Sequence, residues 1–234
     1  MSSQPPEAAR PAVPASSRGR RALLTVAGPV GRRVFRVRIE GHEHLPATGG
    51  AIIAANHVSF FDSIVLALAG PRPLNFVGKA EYLESWKTRR LFPALGMIPV
   101  ERGSPRRAYQ ALEVAAGVLE ADQLFAVYPE GTRSPDGVLQ HGRNGVGHLS
   151  VETGAAVIPA GIVGTDRIQP RGARVPRPFR RAVVRFGSPI DPSSYDGSRR
   201  ERRRRITSDV MQAIGQLSGQ AQAARRAGTV PVPI

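Results

Sequence analysis

Cysteine is absent from this chain of 234 residues, and several other residue types are scarce. Without a thiol the protein has no disulfide scaffold, no thiolate metal site and no cysteine nucleophile, and nothing points to an oxidising compartment. Aromatic residues make up 6% of the chain, which argues against an RNA-binding protein that stacks bases on aromatic side chains. Lysine occurs only at Lys79 and Lys87, so 33 − 2 = 31 of the basic residues are arginines.

Long hydrophobic runs are also missing. A membrane-spanning helix needs about 20 mostly apolar residues, whereas the most apolar candidate, residues 22–30, is interrupted by Gly28-Pro29 and followed by Arg32-Arg33. A secretory signal would need an uninterrupted apolar core and a cleavage site of small residues, and the sequence shows neither. The sequence therefore predicts a soluble or peripheral protein rather than an integral membrane protein.

Acidic residues are outnumbered by basic ones, 18 against 33, which leaves a net charge of +15. The excess of arginine is especially clear between residues 166 and 205. Such a surface binds anionic lipid as well as the phosphodiester backbone of a nucleic acid. A third interpretation is a solvated face whose arginine content reflects genome composition alone. Charge by itself therefore leaves open a basic nucleic-acid-binding or membrane-binding module without catalysis.

The remaining composition is that of one globular domain. Hydrophobic residues make up 41% of the chain, which argues against wholesale disorder, and the length suffices for one α/β domain with a full core. Residues 1–19 lack periodicity and are mostly Ser, Pro, Ala and Arg, which predicts a disordered tail. We predict a single domain over residues 20–227 and a second short tail over residues 228–234.

Apolar strand-like runs alternate with helical patterns along this domain. The predicted strands cover residues 51–55, 74–77, 124–128, 157–163 and 182–186. The predicted helices cover residues 62–69, 82–92, 106–121, 145–153 and 199–225, and Pro93 is expected to end the second. The alternation predicts an α/β fold, a single domain with a mostly parallel sheet flanked by helices. In such sheets the reacting groups lie where strands end and loops begin.

Residues 21–38 differ from the rest because apolar residues are flanked and interrupted by arginines. An interfacial segment, whose arginines extend from an apolar face toward lipid headgroups, has this composition. An ordinary element packed on the sheet has it equally well. The sequence does not decide between the two.

The segment Asn56-His57-Val58-Ser59-Phe60-Phe61-Asp62 directly follows a predicted strand. A histidine at a strand end is placed to face a cleft, and a carboxylate five residues later can fold back onto its imidazole. This pairing fixes the tautomer of a general base that takes a proton from a hydroxyl. The alternative is that Asp62 only caps a helix and His57 is an ordinary loop residue.

The segment Tyr128-Pro129-Glu130-Gly131-Thr132-Arg133-Ser134 closes another predicted strand. Gly131 permits a tight turn, and the planar guanidinium of Arg133 suits a phosphate. Glu130 is a candidate either to hydrogen-bond the hydroxyl of a substrate or to hold the arginine in place. The alternative is a surface turn with a local ion pair.

Two further segments carry less chemistry. Residues 96–102 form a short extended stretch that begins with Gly96 and ends with Arg102; alone, this pattern is typical of a strand end with a solvated charge pair. Residues 157–162 contain no reactive group. Their composition predicts a buried strand, whose only role in a site would be to wall an apolar pocket.

Together, and in this order, the four segments resemble the glycerolipid acyltransferase family, which includes 1-acylglycerol-3-phosphate acyltransferase. The family's first block has the form Asn-His-x-Ser-x-x-Asp, its second is a glycine followed six residues later by arginine, and its third is Pro-Glu-Gly-Thr-Arg-Ser. The matching positions are Asn56, His57, Ser59, Asp62, Gly96, Arg102, Pro129, Glu130, Gly131, Thr132, Arg133 and Ser134. The apolar fourth block resembles residues 157–162. One departure is Gly142-Arg143, where the family often has Phe-Lys.

The resemblance, which covers about residues 37–187, implies transfer of a fatty acyl group from a thioester, acyl-CoA or acyl-ACP, to a hydroxyl of lysophosphatidic acid. The product would be phosphatidic acid, a step of phospholipid biosynthesis, with no covalent acyl-enzyme. An acyltransferase that acts on a different lysophospholipid is the alternative. His57 would be the general base and Asp62 would orient it. The implied substrate-binding residues are Arg102, Glu130, Gly131, Thr132 and Arg133. No metal and no cofactor beyond the acyl donor is implied.

The implied substrate also bears on location and partners. A lysophospholipid acceptor is a component of a lipid bilayer, and the sequence shows no membrane-spanning segment. We therefore expect a peripheral protein on the anionic cytoplasmic face of the cell membrane. Nucleic acid is then the less favoured partner. A serine hydrolase is disfavoured because no Gly-x-Ser-x-Gly elbow occurs. A nucleotide-binding enzyme is also disfavoured. The glycines at positions 142, 145 and 147 are not in the dinucleotide order, and Gly78-Lys79 is followed by Ala80 where a phosphate-binding loop needs Ser or Thr.

Overall fold

The computed structural model describes residues 18–86, 88–100 and 104–223. The predicted tails, residues 1–19 and 228–234, lie outside this part of the chain except for Arg18 and Gly19, which begin the first helix. The strands of the described part of the chain are β1 Val37–Glu40, β2 Ala51–Ala55, β3 Leu74–Lys79, β4 Met97–Val100, β5 Leu124–Val127, β6 Val157–Val163 and β7 Ala182–Phe186. Its helices are α1 Arg18–Val34, α2 Asp62–Ala69, α3 Thr88–Leu95, α4 Pro105–Glu120, α5 Gly145–Thr153, α6 Thr165–Ile168 and α7 Arg199–Ser218.

The seven strands form one sheet in the order β1-β7-β6-β2-β5-β3-β4. Every neighbouring pair is parallel except β6 and β7, which are antiparallel. Strand β2 is central, and its Ile53 lies level with Ala126 of β5 and Ile158 of β6. The predicted α/β fold with a mostly parallel sheet is confirmed. The carboxyl ends of β2, β3, β5 and β6 therefore share one border of the sheet, which we call the carboxyl edge; the opposite border is the amino edge.

Two hydrophobic cores cover the two faces of the sheet. Because side chains alternate along a strand, Ile53 of β2 points into one core, where Leu66 of α2 and Phe92 of α3 pack. Ile52 points into the other core, with Val118 of α4 and Ile214 of α7. Both faces of β2 are thus buried, which explains its unbroken apolar sequence.

The segment 21–38, whose nature the sequence left open, is most of α1 followed by a turn and β1. Leu24 and Phe35 pack against the core. Arg20 is buried at the start of the helix, where its Nη2 donates to the carbonyl of Leu74 at 2.6 Å, and burial lowers the pKa of Arg20. The segment is therefore packed on the protein, although Val26 and Val30 face outward from α1.

Two predicted helix boundaries are wrong. Pro93 does not end a helix over residues 82–92: a 3₁₀ turn covers Ala80–Leu83, and Pro93 lies inside α3. The helix continues past it because Phe92 and Leu95, three residues apart on one face, are both buried. Helix α7 ends at Ser218 because Gly219 adopts the left-handed conformation, with φ 69°. The predicted extension to residue 225 is wrong over residues 219–223, and residues 224–225 lie outside the described part of the chain.

Candidate active site

The two longest motifs lie side by side at the carboxyl edge of the sheet. The first follows β2 and the second follows β5, and these strands are parallel neighbours. Their backbones are joined directly, since the amide of Ser134 donates to the carbonyl of His57 at 2.7 Å. Thus a histidine loop and a glycine-arginine loop, more than 70 residues apart in the sequence, form one surface.

His57 and Asp62 form the predicted pair. The Nδ1 atom of His57 lies 2.8 Å from Oδ2 of Asp62, and the carboxylate is fully buried. The same oxygen accepts from the backbone amides of Val58 and Ser59, both at 2.8 Å, while Oδ1 accepts from the hydroxyl of Thr165. A carboxylate next to Nδ1 selects the tautomer with a proton there, so Nε2 keeps a free lone pair and can act as a base.

Tyr128 covers one face of the imidazole and was assigned no role from the sequence. Its ring is stacked on that of His57, with centroids 3.9 Å apart and an angle of 13° between the planes. Its hydroxyl lies 2.8 Å from Oγ of Ser63. Burial, and then the charge of Asp62, raise the pKa of Tyr128 well above its ordinary value, so its hydroxyl stays protonated. Only its place at the end of β5 could have indicated this contact.

Glu130 lies beneath the site rather than at its surface. Its side chain is only 3% exposed. One carboxylate oxygen accepts from the amide of His57 at 2.9 Å, and the other accepts from the amide of Gln140 at 2.9 Å. Burial raises the pKa of Glu130. The structure therefore does not support direct substrate binding by this carboxylate, because both oxygens already hold backbone amides; Glu130 instead positions the loop that carries His57.

Gly131 makes the turn that the sequence predicted, with φ 73°. A side chain there would also displace the exposed side chain of Arg143, whose Nε would lie 2.9 Å from the added Cβ; the positive φ is the reason for glycine. Thr132 is exposed and Arg133 is half-buried. Among the described residues, no hydrogen-bonding or ionic partner is found for the guanidinium of Arg133 or of Arg143.

A further cation, Lys79, ends β3 at the same edge. It pairs in register with Val100, the last residue of β4, and it is exposed. The sequence analysis weighed this lysine only as part of a phosphate-binding loop and missed its place beside the site. Within residues 18–86, 88–100 and 104–223, no group of three or more His, Asp or Glu side chains is placed to hold a metal ion.

Arg102 lies outside the described residues, so its predicted role as a phosphate ligand stays a prediction. The glycine that opens its motif is well defined. Gly96 has φ 98°, and a Cβ there would lie 2.0 Å from Nη2 of Arg20 and 2.1 Å from the carbonyl oxygen of Leu74. Strand β4 then leads to Val100 at the carboxyl edge, two residues before Arg102.

Other motif residues are structural. The side chain of Asn56 is buried and joins the end of β2 to β6: its Oδ1 accepts from the amide of Ile162 at 2.7 Å, and its Nδ2 donates to the carbonyl of Ile162 at 2.9 Å. Ser59 donates to the carbonyl of Gln169 at 2.9 Å. The apolar fourth segment is confirmed as a buried strand, β6.

These observations place a His-Asp pair, the candidate acid–base site, at the strand ends of an α/β fold, and the sequence matches a known family. The family described as Acyltransferase matches residues 36–163, and the chain belongs to that family. It is 29% identical over 177 residues to the chloroplastic 1-acyl-sn-glycerol-3-phosphate acyltransferase LPAT1 of Arabidopsis thaliana, covering 75% of this chain and 49% of the relative. It is 24% identical over 132 residues to the 1-acyl-sn-glycerol-3-phosphate acyltransferase of Borreliella burgdorferi, covering 56% of this chain and 53% of the relative.

A solved structure agrees with this assignment. The fold is similar to that of the 1-acyl-sn-glycerophosphate (LPA) acyltransferase PlsC from Thermotoga maritima, with a TM-score of 0.67 and 28% sequence identity. The match covers 86% of this chain and 81% of that chain. The chain spans about half the length of the curated relatives described above. The family resemblance seen in the four motifs is therefore confirmed.

Proposed function

We propose that the protein transfers a fatty acyl group from a thioester to a hydroxyl of lysophosphatidic acid, giving phosphatidic acid in phospholipid biosynthesis. The observation that carries the proposal is the contact between His57 Nδ1 and the buried carboxylate of Asp62, which leaves Nε2 as the basic atom. At the same edge of the sheet lie Lys79, Arg133 and Arg143, for whose charged groups no partner is found in the part of the chain that the structure describes. The names of the relatives and of the similar structure support the choice of acceptor.

The proposed reaction needs one general base. Nε2 of His57 takes the proton of the acceptor hydroxyl as its oxygen attacks the thioester carbonyl, and Asp62 stabilises the imidazolium that forms. When the C–S bond breaks, the thiolate leaves and takes the proton from the imidazolium. An ester and a free thiol result, and no acyl group is attached to the protein. The donor is acyl-CoA or acyl-ACP, and no metal or other cofactor enters the scheme.

Cations at the carboxyl edge suit the phosphate of the acceptor. Arg133 follows the Gly131 turn, and a guanidinium can bind phosphate oxygens through two parallel hydrogen bonds. We assign the phosphate to Arg133 and Arg102, with Lys79 and Arg143 as further cations near the site. Gly131 and Thr132 shape the turn that presents Arg133, and Glu130 supports that turn from below.

We also propose that the protein works as a peripheral protein on the anionic cytoplasmic face of the cell membrane. Among the described residues, no helix is both long enough and apolar enough to cross a bilayer. Helix α1 exposes Val26 and Val30, and Arg33 is exposed near its end. A helix with outward apolar residues and neighbouring arginines suits shallow contact with lipid.

The test of the reaction is thioester consumption measured with and without lysophosphatidate. His57→Ala should lower turnover on the order of 10²-fold or more, because the general base is lost. His42→Ala is the matched control, since His42 is an exposed histidine whose imidazole is paired with neighbouring Glu43. A folded His57→Ala protein that keeps most of its activity would contradict the proposed base.

The acceptor assignment is tested with Arg133→Ala and Arg102→Ala. Each change should raise the KM for lysophosphatidate far more than the KM for the thioester, because a phosphate contact is lost. Arg200→Ala, an exposed arginine of α7, is the control and should change neither. Equal effects on both substrates would show that these arginines are structural.

A further inference from the structure

The loop between α6 and β7, residues 169–181, carries an unusual charge. It contains five arginines and no acidic residue. All five arginines are exposed, and none of them has an ion-pair or hydrogen-bond partner for its guanidinium among the described residues. We call this segment the basic loop; its arginines are Arg171, Arg174, Arg177, Arg180 and Arg181. Five unneutralised cations in thirteen residues form a surface suited to an anionic partner.

The basic loop also presents apolar side chains to solvent. Val175 is 73% exposed and Phe179 is 65% exposed. Phe179 has φ 63°, a left-handed conformation that is unfavourable for a bulky residue. It is held there by its amide, which donates to the carbonyl of Val34 at the end of α1 at 2.9 Å. The fold therefore keeps a phenylalanine outside the core at a conformational cost, which points to a partner with an apolar layer.

The basic loop begins beside the catalytic pair. Gln169, its first residue, accepts a hydrogen bond from Ser59 of the histidine loop. Four residues earlier, Thr165 donates to Asp62. The loop is thus attached to the site at one end and to α1 at the other. A partner bound to the basic loop would lie at the carboxyl edge, where an acceptor must reach His57.

The second arginine cluster of the chain lies elsewhere. It occupies the first turns of α7, near the start of β6, since Arg202 donates to the carbonyl of Pro192 and Ile190 pairs with Val157. Twenty residues of helix span about 30 Å, and the far end of α7 reaches the carboxyl edge, where Gln220 accepts from Asn56. The basic region that was continuous in the sequence is therefore divided between the two edges.

We propose that the basic loop, and not the α7 cluster, is the surface by which the protein docks on an anionic lipid bilayer. The arginines face lipid phosphates while Val175 and Phe179 enter the boundary between headgroups and acyl chains. A nucleic acid would satisfy the arginines but would leave the two apolar side chains exposed, so the observations favour lipid. The proposal rests on the proposed function in one respect, because the acceptor of that reaction lies in the bilayer.

The test compares two pairs of substitutions that remove the same charge. The loop variant is Arg174→Gln with Arg177→Gln, and the α7 variant is Arg200→Gln with Arg204→Gln. Binding is measured by co-sedimentation with vesicles of phosphatidylcholine alone or mixed with phosphatidylglycerol. Each arginine near an anionic surface contributes about fivefold in affinity, so the loop variant should bind mixed vesicles roughly 25-fold more weakly, while the α7 variant should bind as the wild type does. Equal losses in both variants would overturn the proposal.

A separate substitution tests the proposed contact between Phe179 and the apolar layer of the bilayer. Phe179→Asn removes the aromatic side chain and places a residue that tolerates positive φ at this position. Binding at high salt, where the charge contribution is screened, should fall, while the unfolding temperature should not. Unchanged high-salt binding would overturn the role of Phe179. Retention of the protein on duplex DNA without binding to mixed vesicles would overturn docking on lipid.

An activity measurement separates this proposal from the proposed function. Transfer is assayed with lysophosphatidate embedded in mixed vesicles and with a short-chain, water-soluble lysophosphatidate. The loop variant should lose transfer to the embedded acceptor and keep transfer to the soluble one. Loss with both acceptors would place the loop in the reaction site and overturn docking as its role. If the wild type transfers to neither acceptor, the proposed reaction fails, whereas vesicle binding still decides the docking surface.

Discussion

Asp62 organises the site at the scale of the single residue. One buried carboxylate meets the imidazole of His57, the amides of Val58 and Ser59 and the hydroxyl of Thr165. The carboxylate that orients the proposed base, His57, therefore also holds the backbone of the loop that carries it. Loss of this carboxylate would disturb the loop and the tautomer together, so single substitutions around it are more informative than its own.

Glu130→Gln tests the support beneath His57. A glutamine has one acceptor oxygen where two backbone amides need one each, so either His57 or Gln140 loses its partner. A buried donor left without a partner costs about 1–3 kcal/mol, and turnover should also fall because the backbone of His57 is released. Chemical denaturation and the transfer assay measure the two effects. Glu113→Gln, an exposed glutamate of α4, is the control, and wild-type stability in the Glu130 variant would disprove the support.

Tyr128→Leu tests the stacked ring. Leucine cannot hold the imidazole plane, so kcat should fall while the KM values for both substrates stay unchanged. Tyr128→Phe retains the ring and loses only the contact with Ser63, so it should keep most of the activity. A parallel loss in both variants would instead assign the effect to the hydroxyl.

At the scale of the element, α7 links the two edges of the sheet. Its first turn is fixed by a capping box, in which Ser198 accepts from the amide of Glu201 and the carboxylate of Glu201 accepts from the amide of Ser198. Glu152 of α5 binds Arg203 at 2.5 Å and Arg199 at 3.3 Å. The last residues of α7 lead to Gln220, which contacts Asn56 beside the site. The helix is therefore anchored at both ends by polar contacts and between them by the core.

The substitution Glu201→Gln tests how the stability that the helix cap contributes depends on pH. Hydrogen bonds from the side chain and then the backbone of Ser198 lower the pKa of Glu201 below its ordinary 4.5. A carboxyl whose pKa is lower in the folded state than in the unfolded state stabilises the fold at any pH above its unfolded-state pKa. This stabilisation is lost as the pH falls through its folded-state pKa. The variant should therefore melt at a lower temperature than the wild type at neutral pH. The two melting temperatures should converge in acid well below pH 4.5, and a constant difference would refute the charged cap.

Across the molecule, many of the basic residues lie at the same border of the sheet as the candidate active site. The net charge of +15 is not spread evenly: the basic loop, Lys79 and Arg133 lie at the carboxyl edge, while the α7 arginines begin at the other. Parallel strands bring their loops to one edge, so the fold gathers the proposed catalytic pair, the proposed phosphate-binding cations and the proposed lipid-binding surface on the same side. At physiological salt, the field of an exposed charge is screened beyond about 8 Å. The two basic regions, at opposite edges of the sheet, therefore act independently.

The α/β class and the five main strands were predictable from the amino-acid sequence alone, as was a pairing of His57 with Asp62. Each depends on information local in the chain: an unbroken apolar run such as residues 51–55, or a carboxylate that follows an imidazole by five positions and begins a helix. The four motifs in order also sufficed to indicate the family, which the comparisons confirmed. Strand β1 was missed because only two of its four residues are apolar, alternating with Arg38 and Glu40, and because its partner is β7, far along the chain.

Contacts between segments that are distant in the sequence became visible only in the folded chain. Glu130 lies 73 residues from the amide of His57 that it accepts from, and Tyr128 meets the imidazole only because β5 is placed beside β2. The position of α7 across the sheet separated two arginine clusters that are neighbours in sequence. Strand order and helix placement follow from how all the apolar surfaces are buried together, and no short stretch of sequence contains that information.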